Sequence, residues 1–124
     1  MINWNNLDTL TSFKELSEVE RVNLAEVMSG ENGAERVKDY SVPMTEDLTY
    51  NYAAKAVDDK VLAALAKLAK EAQLTEKYAA LYNGEVINTG EKRLVLHQLT
   101  RGQLGDKVEA DGVDKREFYV KQQQ

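Results

Sequence analysis

The chain has 124 residues, 43% hydrophobic and 30% charged, with a formal net charge of −5, one histidine and no cysteine. This length suits one globular domain that buries roughly two thirds of its unfolded surface, and the acidic balance argues against unspecific nucleic-acid binding, which needs clustered Lys and Arg. Without cysteine there are no disulfides or thiolate metal sites; no apolar run approaches the roughly 18 residues that span a bilayer, and the start MINWNNLDTL does not read as a secretory signal, so a soluble, cytoplasmic protein with no membrane partner is expected.

The first third reads as helix. From Ser12 to Met28, Phe13, Leu16, Val19, Val22, Leu24 and Val27 recur at mixed spacings, so the apolar face drifts. Two short helices with a break near Glu20 to Asn23 fit better than one. Ser12 with Glu15 three residues on suits a capping box, although Thr9 and Thr11 suit the cap equally well. Ser29-Gly30-Glu31-Asn32-Gly33 tolerates positive φ and interrupts any helix, after which Ala34 to Asp39 suits a short helical piece. YSVPM and DLTYNYA then alternate apolar and polar residues on either side of Thr45-Glu46, which predicts a small antiparallel hairpin. Pro43 cannot donate to a ladder and belongs at an edge. A hairpin of two strands is marginal alone, so it must lean on the helices or on something outside the chain.

DDKVLAALAKLAKEAQ is the clearest element. Val57, Val61, Leu62, Leu65, Leu68 and Ala72 form one apolar stripe, so a helix over Asp59 to Ala72 is predicted to bury Leu62, Leu65 and Leu68. Asp58 or Asp59 can cap its start. Thr75 opens a second helix, Glu76 to Tyr82, after a tight corner at Leu74-Thr75, and Gly84 stands where a left-handed C-terminal cap is expected. LVLHQLTR fits a short helix or a buried strand. RGQLGDKVEADGVDK is rich in turns, and EFYVKQQQ reads as the start of a helix whose apolar face is not completed. No repeat, linker or low-complexity segment divides the chain, so residues 1–124 are taken as a single domain, α+β in class and mostly helical, with one small hairpin.

The stretch GEVINTGEKRLVLH, Gly84 to His97, poses the question of chemistry. His97 invites a catalytic reading, because imidazole titrates near neutral pH and Glu85 or Glu91 could orient it. A lone His between Leu96 and Leu99 reads more readily as a core residue whose ring nitrogens bond to backbone. One His with scattered carboxylates lacks the spacing of a zinc site. Glu91 and Arg93 read as a loop ion pair or backbone clamp, and the glycines match neither a P-loop nor GxGxxG. No cofactor or metal is implied.

GEVINTGEKRLVLHQLTR nevertheless resembles a segment of glucose-6-phosphate isomerases, written in that family as Gly-Glu-x-Ile-Asn-x-Thr-Glu-x-Arg-x-Val-Leu-His-x-x-x-Arg. Gly84, Glu85, Ile87, Asn88, Glu91, Arg93, Val95, Leu96, His97 and Arg101 occupy the corresponding positions. LTYNYAAKAVDD, LAALAKLAKEAQL and LYNGE are similar in order and spacing to the family's N-terminal region, and ADGVDKREFYVK is similar to its DGK-containing hairpin and the start of the next helix. Gly90 departs from the family's Thr and permits positive φ instead, and the connection from Arg101 to Asp111 is shorter than usual; both suggest a divergent bacterial member.

The resemblance implies the N-terminal part of an enzyme of the sugar-isomerase α/β/α type, whose catalytic domains lie downstream. Such an enzyme, active in glycolysis and gluconeogenesis, interconverts glucose 6-phosphate and fructose 6-phosphate without metal or nucleotide. It opens the sugar ring and transfers a proton through a cis-enediol, with a Glu as base, His and Lys for ring opening, an Arg for the intermediate and a Ser/Thr-rich loop for the phosphate. Those motifs have no counterpart here, so no catalytic residue is carried over. The partners implied are the remainder of the same chain, a second copy in a homodimer and a sugar phosphate bound downstream. Asn88 and Glu91 are expected to satisfy loop backbone, and Arg93 and Arg101 to pair with carboxylates. The alternative is a stand-alone, non-catalytic helical interaction module derived from that enzyme.

Overall fold

A computed structural model describes residues 1–101 and 106–122. Gly102 and Gly105 of the turn-rich stretch, with the two residues between them in the connection from Arg101 to Asp111, lie outside the described residues. The chain forms two compact units, Asp8–Leu68 and Met1–Leu7 with Ala69–Gln124. The α+β class holds, helix is the main regular structure, and the described residues contain two small antiparallel hairpins rather than one.

In the first unit, α1 (Thr11–Glu18) and α2 (Leu24–Ser29) stand on either side of the expected break, and α3 (Gly33–Asp39) follows. The capping box at Ser12 does not form. Leu10 occupies the N-cap position and Ser12 lies buried inside the first turn. Gly30 and Gly33 do not need positive φ. Gly33 is instead demanded by close approach, since a Cβ there would overlap the carbonyl oxygen of Met28.

Strands β1 (Ser41–Thr45) and β2 (Leu48–Asn51) pair antiparallel with Val42 opposite Tyr50 and a bulge between Pro43 and Thr45, so the turn sits at Glu46-Asp47. The hairpin is tied to α3 at its base. Tyr52 donates its amide to the Tyr40 carbonyl at 2.8 Å, and the Asn51 side chain donates to the Val37 carbonyl at 2.6 Å. Arg36 draws the following loop onto α3: its Nε donates to the Ala53 carbonyl at 2.9 Å and one terminal nitrogen to those of Lys55 and Val57 at 3.0 and 2.7 Å. Its guanidinium also lies 4.1 Å from the centre of the Tyr40 ring. A rigid planar fork with several donors suits this task as an ammonium would not.

Helix α4 (Asp59–Glu71) begins at Asp58, whose Oδ1 accepts the Val61 amide at 2.8 Å. The expected burial of Leu65 is not found. Ala64 is the helix's buried residue, and the expected Leu62 and Leu68 are only half-buried, as are Val61 and Ala69. The inward face therefore runs through 61, 62, 64, 68 and 69, centred on Ala64, and Leu65, one residue round from that centre, is 39% exposed.

In the second unit the helical corner falls at Ala72-Gln73, earlier than Leu74-Thr75, and α5 (Leu74–Tyr82) includes Thr75. Gln73 takes φ +53°, a conformation glycine would adopt with less strain. Its side-chain oxygen accepts the Asn3 amide at 2.7 Å, and Lys77 lies 5.5 Å from the centre of the Trp4 ring, which ties the N-terminal residues to α5.

The end of α5 matches expectation. Gly84 has φ +72°, its amide donates to Leu81 at 3.2 Å, and the Glu85 amide donates to Ala80 at 2.9 Å, the paired bonds of a Schellman cap. A Cβ on Gly84 would overlap Cγ1 of the buried Val108. Strands β3 (Glu109–Ala110) and β4 (Val113–Asp114) are joined by Asp111-Gly112, both at positive φ, as the tight hairpin turn of an Asp-Gly pair requires. Helix α6 (Lys115–Gln122) then packs on a 3₁₀ turn at His97–Thr100.

Candidate functional site

The segment from Gly84 to Arg101 folds around its own polar residues. Asn88 and Arg93 form an isolated antiparallel bridge, with the Arg93 amide donating to the Asn88 carbonyl at 3.2 Å. The Asn88 side chain accepts the Glu91 amide at 3.1 Å and donates to the Glu91 carboxylate at 3.3 Å. Arg93 reaches the same carboxylate at 3.8 Å. Asn88, Glu91 and Arg93 thus close one exposed loop, as the loop-clamp reading expected. Gly90 does not supply the positive φ; Lys92 does, at +54°. A Cβ on Gly90 would meet nothing closer than ordinary contact.

His97 is not the core residue expected. It is exposed, and Leu99 holds the fully buried position two residues on. The 3₁₀ turn accounts for the exchange, because its tighter winding turns Leu99 inward. The Thr100 hydroxyl donates to the His97 carbonyl at 2.8 Å, and Gln98 donates to the Leu81 carbonyl at 2.7 Å. His97 shares a cleft of about 240 Å³ with Tyr78, Tyr82 and Arg101. The Tyr78 and Tyr82 rings lie 5.2 Å apart, and Tyr78 raises the Tyr82 phenol above its ordinary pKa while Arg101 opposes it. Among the described residues Arg101 has no carboxylate ion partner.

A larger cleft of about 910 Å³ is lined by Lys92, Arg93 and Lys115 together with Glu85, Glu109 and Asp111. Both signs are present in it, and Lys115 pairs with Asp111 at 3.9 Å. The nearby N-terminus of α6 is also spoken for, since Asp114 accepts the Arg116 and Glu117 amides at 2.9 and 3.2 Å. An incoming phosphate would have to displace that carboxylate.

The other unit has a cleft of about 590 Å³ that includes Glu26, Glu35, Arg36, Tyr40 and Asp59. Tyr40 donates to Asp59 at 3.3 Å, and burial, then the Asp59 charge, raise its phenol against the pull of Arg36. Among the described residues no three His, Cys, Asp or Glu side chains could hold a metal together, and no helix is long and apolar enough to cross a membrane. Sequence reasoning passed over Arg36, whose only signal was a long cationic fork between a glycine turn and a marginal hairpin.

Comparison with known proteins gives the frame for this geometry. The family described as phosphoglucose isomerase matches residues 51–122. The glucose-6-phosphate isomerase of Treponema denticola is 52% identical over 122 residues, covering 94% of this chain and 23% of that protein. Those of Treponema pallidum and Borreliella afzelii are 42% and 40% identical, covering 98% and 96% of this chain and 23% and 22% of theirs. The chain therefore spans less than a quarter of the length of these relatives. The polar motif from Gly84 to Arg101, the Schellman glycine and the Asp-Gly hairpin all lie within the family match, and the chain belongs to the phosphoglucose isomerase family.

Proposed function

We infer that this chain is the N-terminal segment of a glucose-6-phosphate isomerase and serves that enzyme as structure, while polypeptide beyond Gln124 carries the chemistry. One observation carries the reading: the motif residues that look catalytic are spent on their own loop, with Asn88 holding Glu91, Glu91 holding Arg93, and His97 exposed in clefts that no carboxylate lines among the described residues. A general base must be positioned against the proton it takes, and a ring-opening acid and a phosphate cradle must be held with it. The larger charged cleft offers both signs together in place of a cationic cradle.

In the whole enzyme the substrates are glucose 6-phosphate and fructose 6-phosphate, interconverted through a cis-enediol in the cytoplasm as a step of glycolysis and gluconeogenesis. A homodimer without cofactor is the expected assembly. The test is to express the gene product that continues past Gln124 and to follow fructose 6-phosphate conversion by coupling to glucose-6-phosphate dehydrogenase. Turnover by the long product supports the reading. A stop codon directly after Gln124 sinks it and leaves a stand-alone interaction module.

A further inference from the structure

We propose that the β1–β2 hairpin is a docking element whose apolar side is covered by the downstream part of the isomerase polypeptide. The proposal rests on the N-terminal-segment reading. By register Val42 stands opposite Tyr50, Leu48 shares their side two residues before Tyr50, and Met44 lies in the bulge that adjoins it. Val42, Met44, Leu48 and Tyr50 are 44, 61, 58 and 50% exposed, and none carries a charge. A two-stranded hairpin with a bare apolar side is marginal in water.

The unit that carries the hairpin cannot supply the cover. Its buried apolar side chains, among the described residues, are Ala53 and Ala64, and both fully buried large side chains, Leu99 and Val108, belong to the other unit. What fixes the hairpin is its base, at Asn51, Tyr52 and the Arg36 clamp, which holds the apolar side in place without covering it.

Two things on the molecule select the occupant. The Treponema denticola relative matches this chain across the hairpin yet extends far beyond the matched 23% of its length, so most of such a chain remains to meet this face. A tethered surface also acts at high effective concentration. A second copy is the poorer candidate, because each copy carries a net charge of −5 and like charge opposes association.

Met44 is a built-in reporter, because thioether oxidation follows exposure. The 124-residue chain and the gene product that continues past Gln124 are treated with dilute hydrogen peroxide, and sulfoxide at Met44 is followed by mass spectrometry with the fully exposed Met1 as reference. Met44 is expected to oxidise at least about tenfold more slowly in the long product, with Met1 unchanged. Met44→Lys with Leu48→Lys is expected to leave the circular dichroism of the 124-residue chain unchanged, because the face is already exposed, and to lower the thermal midpoint of the long product. Equal Met44 rates in a long product that still turns over fructose 6-phosphate overturn the docking face and leave the enzyme reading standing. Equal rates in a long product without turnover overturn both. Protection that appears in the 124-residue chain as its concentration rises makes a second copy the occupant and overturns the proposal.

Discussion

Replacing Gly84 by alanine tests two physical demands on one position. The backbone there is left-handed, at φ +72°, and an added methyl overlaps Cγ1 of Val108, which is buried. The conformational part costs about 1–2 kcal/mol for an L-residue. Overpacking a filled site costs about 1–3 kcal/mol more. The sum is about 2–5 kcal/mol, a large share of a small domain's stability. Gly112→Ala separates the two contributions, because Gly112 has the same φ of +72° but nothing within 4 Å of the added carbon. Urea titration followed by far-ultraviolet circular dichroism should give Gly84→Ala the larger loss by about 1–3 kcal/mol. Adding Val108→Ala to Gly84→Ala should return part of the steric loss, so the double mutant should be more stable than additivity allows. Equal losses at Gly84 and Gly112 would refute the close packing of the cap on Val108.

Other residues give sharper expectations than composition alone. Arg36→Lys keeps the charge but not the fork, leaving the carbonyls of Ala53, Lys55 and Val57 short of donors; a loss of about 3 kcal/mol is expected, and amide exchange around Ala53 should rise. Leu65→Ala should cost less than about 1.5 kcal/mol, because the side chain is partly solvated, whereas Leu99→Ala should cost about 2–5 kcal/mol; urea midpoints of the pair compare them directly. The Lys107 ammonium donates to Glu109 at 2.7 Å, and this bond raises its pKa above 10.5. Its stabilising contribution is therefore complete below pH 10.5 and lost as pH rises through the raised value, and Glu109→Gln should bring the Lys107 titration, read by nuclear magnetic resonance, back toward the ordinary range.

The legible parts of the fold were those whose cause is local. Asp58 as a cap, Gly84 as a left-handed stop and the two-period run on either side of the hairpin turn each act within a few residues, so the sequence carries them openly. The Asp-Gly hairpin came through family resemblance, whereas α6 was already readable in EFYVKQQQ as the start of a helix. Leu65 was misplaced because the apolar stripe of α4 is broad, and which residue points inward depends on what packs against it. His97 was misplaced because a short apolar run does not announce a 3₁₀ turn, whose winding sends Leu99 inward instead. The Asn3–Gln73 bond and the Trp4–Lys77 contact join residues about seventy positions apart, a separation at which no local pattern speaks. In the candidate site, Asn88, Glu91 and Arg93 were legible as a loop clamp because their spacing closes a loop, and Arg36 was not, because its partners are backbone carbonyls that any residue supplies.

The central claim is that Gly84 to His97 is scaffold and that the chain as it stands does no isomerase chemistry. The purified 124-residue chain, at micromolar concentration with saturating fructose 6-phosphate, is assayed by coupling to glucose-6-phosphate dehydrogenase beside its His97→Ala variant. The account predicts that both rates equal the buffer rate. Turnover above buffer that vanishes in His97→Ala would contradict it and make this segment a catalytic site.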